Sequence, residues 1–249
     1  MAKPADDTPQ NSAQALDLTA HFLIAMPGME DETFAKSVVY LCEHSERGAM
    51  GIMINKPTEL TLPKLFAKVD LPLDRKDLHD APVFGGGPMH SERGFVLHEK
   101  QVAQAVGFAE MLAKPLAPED QVPASDPEPQ ELSLEQQLVQ ALQEEAEKAQ
   151  HDTFYASSLP ISDGLEMTTS KDVLEALSSG GGPRKVLVSL GASGWAKGQL
   201  ESELAENAWL TVKASQEVIF DTPVSERYTK ALALLGLQEW MISREVGRA

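Results

Sequence analysis

Short runs of apolar residues alternate with polar stretches along most of this chain. Runs of four to eight residues rich in β-branched and aromatic side chains predict strands, whereas apolar residues spaced three or four apart predict helices. Hairpin-like strands come early and the helices are interspersed without a regular strand–helix alternation, so the pattern predicts an α+β fold with a mainly antiparallel or mixed sheet. The predicted strands cover residues 21–26, 37–43, 51–55, 82–85, 95–98, 153–155 and 185–190, and the predicted helices cover 62–69, 101–113, 171–178, 198–207 and 224–235.

The pentapeptide His-Ser-Glu-Arg-Gly occurs twice, at residues 44–48 and 90–94, and each copy lies between two strand-like runs. A short loop that ends in glycine is typical of a β-hairpin, because the last turn position often adopts a positive φ that is unfavourable for a residue with a Cβ atom. The repeat therefore predicts two hairpins, and it indicates architecture more than a reaction.

A proline-rich acidic segment at residues 117–150 interrupts the strand and helix pattern. It carries nine acidic residues and one basic residue, so we interpret it as an insertion with little to bury. The chain is expected to form a single domain at residues 16–249, preceded by a flexible tail at residues 1–15. A short amphipathic helix from Ser133 either docks on a protein partner or lies solvated against its own domain.

The composition restricts the class of protein. With 249 residues and 42% hydrophobic side chains, the chain is long enough to bury a sizeable core. Its net charge is −17, and 29 acidic against 20 basic residues remain without the insertion, so direct nucleic-acid binding is disfavoured. No run approaches roughly 18 consecutive apolar residues, the start of the chain is polar, and Cys42 has no second cysteine to pair with. We therefore expect a cytoplasmic protein that does not bind a membrane.

Cys42 and His44 form the first candidate for chemistry. In a regular strand their side chains point to the same face, which is the arrangement that a thiolate–imidazole pair requires. Val38 and Tyr40 share this face, and the sequence identifies no third group that would orient the histidine. We therefore favour a buried core cysteine over a catalytic thiol, and we predict no catalytic residues.

The two predicted hairpins supply the second candidate, a polar cleft that forms if they stack. Arg47 and Arg93 would then present guanidinium groups suited to bidentate contacts with a carboxylate or phosphate. The alternative is that both turns are solvated loop tips. The six histidines and the single cysteine show no spacing typical of metal ligands, so neither a metal nor a cofactor is predicted. The side chains that would converge in this cleft are Glu43, His44, Arg47, Asn55, His90, Arg93 and His98.

A glycine-rich loop before the predicted helix at residues 198–207 is the third candidate. The first amides of this helix would face a bound anion, with Trp195 and Gln199 as further ligand contacts. However, Glu201 and Glu203 place negative charge in the first turns, and the spacing matches neither a P-loop nor a nucleophile elbow. A tight structural turn is therefore the favoured interpretation. The glycines of this loop are Gly191, Gly194 and Gly198.

Six sequence blocks follow one another in a characteristic order. The first reads His-Phe-Leu-Ile-Ala-Met-Pro-Gly-Met, and the third ends in Ile-Asn-Lys-Pro. The blocks lie at residues 21–29, 37–44, 48–57, 86–88 and 93–98, followed by a long run that contains 194–195, 198–201 and 207–210. In these blocks the chain resembles the bacterial YqgE/AlgH family, from about residue 16 to the C-terminus apart from the acidic insertion.

The resemblance implies a fold more than a function. It implies an α+β domain whose bifurcated sheet curls into a pseudo-barrel with helices packed outside, and it brings no established reaction. The family name implies a link to the transcriptional control of exopolysaccharide production, but the family lacks a recognised DNA-binding motif, which points to indirect regulation. This chain departs from the family at Ala192, where an aromatic residue is common, and in the length and acidity of residues 117–150.

The leading hypothesis from the sequence is a non-catalytic regulatory or protein-interaction protein, acting as an indirect transcriptional regulator through an unidentified protein partner. The first alternative is a small-molecule binder for an anion, or a hydrolase, that uses the hairpin cleft. The second alternative is a DNA-binding regulator, against which the acidic charge balance counts. The sequence leaves the oligomeric state open.

Overall fold

The computed structural model describes residues 17–101 and 155–242 of the chain. Several predictions fall on other residues and so lie outside the described part. They are the tail at 1–15, the acidic insertion at 117–150 with its helix from Ser133, nearly all of the helix at 101–113, and most of the strand at 153–155.

Ten strands in the described residues form one curled sheet, and seven of the nine strand pairings are antiparallel neighbours along a single path. The path runs in the order β10-β1-β2-β3-β9-β6-β8-β7, and β4 and β5 lie off it. The strands are β1 His21–Ala25, β2 Val38–Ser45, β3 Gly48–Met53, β4 Pro57–Thr61, β5 Pro82–Gly85, β6 Met89–Glu99, β7 Ser158–Ile161, β8 Leu165–Thr168, β9 Val186–Ala196 and β10 Trp209–Lys213.

The sheet branches along β9. Near its C-terminal end β9 pairs with β3 in antiparallel fashion, whereas Ser189 and Leu190 pair with β5 in parallel fashion. Strand β6 runs antiparallel to β9. The branching produces a bifurcated sheet that curls into a half-barrel, so the predicted α+β fold is confirmed.

Four α-helices in the described residues cover this sheet, close to four of the predicted positions. Helix α1 begins just before Pro63, whose missing N–H is tolerated in the first turn. A π-helical turn, Glu217–Asp221, precedes the last helix. The helices are α1 Leu62–Lys68, α2 Asp172–Ser178, α3 Gln199–Ala205 and α4 Arg227–Leu234. None of the helices in residues 17–101 and 155–242 is long and apolar enough to cross a membrane.

Both faces of the central strands are buried, and alternate side chains of a strand enter different hydrophobic clusters. In β2, Tyr40 packs into the cluster inside the curl, which α4 closes with Ala231 and Leu232. Its neighbour Leu41 points the other way, into a cluster beneath α3. Helices α1 and α2 cover a third cluster, which lies on the arm formed by β5, β6 and the first half of β9. The burial of both faces explains why these strands are almost continuously apolar.

The first of the two predicted hairpins is confirmed, and the second is wrong. Strands β2 and β3 are joined through Glu46 and Arg47, and Gly48 has the positive φ of +130° expected at the end of the turn. Strands β5 and β6 pair with β9 and not with each other. The second pentapeptide lies inside β6, where the register against β9 shifts between Met89 and Gly94.

Close backbone contacts explain how the chain passes from β5 to β6 without a hairpin. A Cβ at Gly86 would lie 2.2 Å from the carbonyl oxygen of Gly191, and Gly87 has a φ of +149°. The amide of Gly86 donates to the carbonyl of Leu190, while its own carbonyl accepts from the amide of Met53. The chain therefore lies directly against β9 at these glycines, and no local turn signal in the second pentapeptide decides its course.

Candidate functional site

Cys42 and His44 point to opposite faces of the sheet, so the prediction that they share a face is wrong. The register between β2 and β3 shifts between Leu41 and Glu43, where one extra residue of β2 forms a β-bulge. Such a bulge inverts the alternation of side chains beyond it. Cys42 lies fully buried in the cluster with Tyr40, and burial raises the pKa of its thiol. The pair cannot act as a nucleophile and its base.

His44 has both ring nitrogens engaged. Its Nδ1 accepts from the backbone N–H of Leu18 at 3.0 Å, so the proton of the neutral ring lies on Nε2. The Nε2–H donates to Oε1 of Glu201 in α3 at 3.1 Å. The backbone N–H of His44 also donates to Oγ1 of Thr19. His44 therefore ties the start of the domain to α3 and keeps no nitrogen available as a general base.

The polar cleft predicted from the two hairpins is not assembled. Arg47 has 87% of its side chain exposed and pairs with Glu43 at 3.1 Å on the same hairpin. Asn55 accepts from the amide of Val38 and donates to the carbonyl of Lys36, which braces the backbone between strands. Arg93 and His90 lie on the exposed stretch of β6, while His98 is buried further along the same strand. Among the described residues, no hydrogen bond or ion pair links the two pentapeptides.

Trp195 and Gln199 do come together, but around a carboxylate of the chain itself. Glu203 accepts from the indole N–H groups of Trp195 and Trp209, each at 2.8 Å, and from Nε2 of Gln199 at 2.9 Å. The oxygen of Gln199 accepts from the amide of Ala196. These bonds fasten α3 onto the sheet, which supports the tight-turn interpretation of the glycine loop.

His98 faces a buried carboxylate that the sequence analysis did not single out. Glu166 in β8 lies directly opposite His98 in the antiparallel pair of β6 and β8, and both side chains are fully buried. Nδ1 of His98 donates to the carbonyl of Glu99 at 2.7 Å, but its Nε2 and both carboxylate oxygens of Glu166 have no hydrogen-bond partner. Burial raises the pKa of Glu166 and lowers that of His98, so His98 is neutral at neutral pH.

A cavity of about 280 Å³ lies where β5 and β9 separate. The two parallel strands pair only at Phe84 with Ser189 and at Gly85 with Leu190. Residues of α1 and of the π-helical turn also line the cavity. The apolar part of the lining includes Leu62, Leu78, Phe84, Val186 and Ile219. The lining is mixed, because five charged side chains complete it: Asp77, Arg184, Lys185, Asp221 and Arg227.

Arg227 is the buried charge of this cavity. Its Nε donates to the carbonyl of Thr222 at 3.1 Å, its Nη1 donates to the carbonyl of Ile54, and its guanidinium lies 5.1 Å from the ring centroid of Phe84. Burial lowers the pKa of Arg227 to about 10. Within residues 17–101 and 155–242 no carboxylate forms an ion pair with it. A buried cation without a counter-ion is costly, and a bound anion would offset that cost.

The other charged groups of the cavity behave differently. Lys185 pairs with Asp221 at 2.9 Å, and Asp77 pairs with Arg75 at 2.6 Å. Arg184 is exposed to solvent. Arg227 was not predicted from the sequence, although one signal was present: it lies four residues before Ala231, on the buried face of α4.

No group of three or more histidine, cysteine or acidic side chains converges within the described residues in a way that would hold a metal ion.

The branched sheet, curled into a half-barrel with helices packed against it, places the chain among the α+β proteins. The sequence model of the AlgH-like family, DUF179, matches residues 22–123 and 133–240. The chain therefore belongs to the AlgH-like family, and the resemblance drawn from its sequence blocks is confirmed.

Individual relatives agree with this assignment. A UPF0301 protein of Paracidovorax citrulli is 57% identical over 246 residues, which cover 99% of this chain and all of the relative. The solution structure of the AlgH protein from Pseudomonas aeruginosa has a TM-score of 0.58 at 35% identity, covering 99% of this chain and 100% of that one. A crystal structure from Corynebacterium diphtheriae, with a TM-score of 0.54 at 16% identity and coverage of 86% and 85%, shares the fold alone.

Proposed function

We propose that this protein is a non-catalytic regulatory protein that binds a small anion in the cavity at Arg227. The observation that carries the proposal is a buried guanidinium that lines a cavity and forms no ion pair with any carboxylate of the described residues. Removing a cation from water is unfavourable unless a partner compensates, and the two carbonyls bound by Arg227 supply only part of that compensation. An anionic ligand supplies the rest.

The side chains considered for catalysis support a binding role rather than a reaction. The bulge separates Cys42 from His44, and both nitrogens of His44 are already bonded. A general base needs an accessible acceptor within reach of a substrate proton. His98 has such an acceptor in Nε2, but the ring is fully buried and faces Glu166.

The contacts of Arg227 also support a regulatory role. Its guanidinium bonds the carbonyl of Ile54, just after β3, and the carbonyl of Thr222, just before α4. An anion bound to the remaining donors of this guanidinium would bias its position and so couple the cavity to two separate segments. We place this activity in the cytoplasm, a reducing compartment that suits the free cysteine Cys42.

Isothermal titration calorimetry with acetate, isovalerate and inorganic phosphate tests the proposal. The proteins compared are the wild type, Arg227→Met, Arg227→Lys and the control Arg47→Met, which removes an exposed arginine far from the cavity. We expect at least one anion to bind the wild type and the control equally, and to bind both Arg227 variants at least about tenfold more weakly because the charge-assisted fork is lost. Absence of binding by every anion, or unchanged binding to Arg227→Met, would refute the proposal.

Protein binding is a second candidate function, favoured by exposed apolar side chains after α4. Trp240 is 76% exposed and Met241 is 53% exposed, and Leu234 on α4 adds a further exposed side chain. Exposed apolar patches are common at protein interfaces. An affinity pull-down from native lysate with the wild type, Trp240→Ser and the surface control Lys230→Ser tests it. A stoichiometric partner lost only with Trp240→Ser supports this function, and equal capture by all three proteins contradicts it.

A further inference from the structure

The guanidinium of Arg227 has unused donors for one compact anionic group. Arginine has five N–H donors. The Nε–H binds the carbonyl of Thr222, and one Nη1–H binds the carbonyl of Ile54. No acceptor among the described residues bonds to Nη2. Three donors therefore remain, enough to bind both oxygens of a single carboxylate.

The charge balance of the cavity favours a single negative charge. Lys185 is already neutralised by Asp221, and the carboxylate of Asp77 by Arg75. One buried cation, Arg227, is left to be balanced inside the cavity, while Arg184 is exposed and therefore screened by solvent. A second negative charge on the ligand would lie near Asp77 and Asp221 without a buried partner.

The lining and the volume set the shape of the rest of the ligand. Leu62, Leu78, Phe84, Val186 and Ile219 form an apolar part of the lining, beside its charged side chains. The cavity of about 280 Å³ lies at the lower end of the volumes typical of small-molecule sites, which favours a compact ligand. A short branched or aromatic body fits against these five side chains, with its anionic group at Arg227 on the same lining.

We infer that the ligand is a monocarboxylate with a compact apolar body, of the size of a short branched-chain or simple aromatic acid. This inference rests on the proposed function, because it specifies the ligand class of the same cavity. The carboxylate pairs with Arg227, and the apolar body lies against Phe84 and the side chains contributed by α1 and β9.

Four probes measured by calorimetry separate this inference from the proposed function. Isovalerate is the expected ligand, isovaleramide is its neutral isostere, acetate lacks the apolar body, and inorganic phosphate is a compact anion with more than one charge. We expect isovalerate to bind the wild type at least about tenfold more tightly than each of the other three. The preference over isovaleramide is expected to disappear in Arg227→Met.

A cavity-filling variant, Ala81→Phe, provides a test that leaves Arg227 in place. Ala81 lines the cavity, so a phenyl group there occupies the ligand volume, and we expect isovalerate binding to be lost while Arg47→Met binds as the wild type does. Tight, Arg227-dependent binding of phosphate with weak isovalerate binding would overturn the monocarboxylate inference and leave the proposed function standing. Failure of all charged probes would overturn both, as would isovalerate binding that neither Ala81→Phe nor Arg227→Met reduces.

Discussion

Replacing Glu166 with methionine is expected to raise the free energy of unfolding at neutral pH by about 1–3 kcal/mol, the usual penalty of a buried polar group without a partner. Glu166 is fully buried in β8, and neither carboxylate oxygen has a hydrogen-bond partner. Its cross-strand neighbour His98 is neutral at this pH because burial lowers the pKa of the ring. Methionine has a similar length and no polar atom, so it fills the same space with little strain.

The gain is expected to depend on pH in a definite direction. Burial raises the pKa of Glu166 above its ordinary value of 4.5, against the opposing charge of Lys100. The folded state therefore binds the proton more tightly than the unfolded state. The Glu166 carboxyl destabilises the folded protein least below its unfolded pKa and most above its folded pKa. The advantage of Glu166→Met over the wild type is thus largest at neutral and alkaline pH and falls as the pH approaches 4.5.

Urea unfolding followed by tryptophan fluorescence, repeated across this pH range, measures the difference. Groups that titrate equally in the wild type and in Glu166→Met contribute equally to both free energies of unfolding, so their contributions cancel when the two proteins are compared at each pH. Glu59→Met, which replaces an exposed carboxylate on β4, is the matched control and is expected to change stability by less than about 0.5 kcal/mol. A Glu166→Met protein that is less stable than the wild type at neutral pH, or whose advantage persists unchanged in acid, would refute the reasoning.

Three further outcomes follow from the contacts described above. Glu203→Gln is expected to lower the free energy of unfolding by about 1–3 kcal/mol, because an amide replaces the charged acceptor of two indole N–H groups; urea unfolding measures this, and an unchanged midpoint would contradict it. Gly48→Ala is expected to lower the free energy of unfolding by about 1–3 kcal/mol, because the alanine Cβ would lie 2.2 Å from the carbonyl oxygen of Trp195 and the backbone φ is +130°. Gly94→Ala, where a Cβ meets nothing within 4 Å, is the control for the same measurement, and equal losses would show that crowding is not the cause. Cys42 is expected to react with a thiol reagent such as Ellman's reagent only after unfolding, since it is buried and burial raises its pKa; rapid labelling of the native protein would disprove this.

Local sequence signals determined much of the architecture. The helices at α1 to α4, the long apolar strands and the first hairpin all follow from short-range patterns that the sequence displays directly. Strands β4, β7, β8 and β10 were not predicted; each has only four or five residues, and three of them contain proline or an acidic side chain. Separate sequence blocks also identified the family.

Only the tertiary structure decided where the chemically interesting side chains lie. One extra residue at the bulge in β2 separates Cys42 from His44, and a strict alternation along the sequence cannot reveal it. Two identical pentapeptides have different structures: the first joins β2 to β3, whereas the second lies within β6, where Gly94 pairs with Leu190, almost one hundred residues away along the chain. The carboxylate opposite His98 and the buried guanidinium of Arg227 also arise from pairings between residues distant along the chain. Which side chains are buried, and which groups they contact, are properties of the packed chain. The sequence therefore determined the secondary-structure elements and the family, and packing alone determined the candidate site.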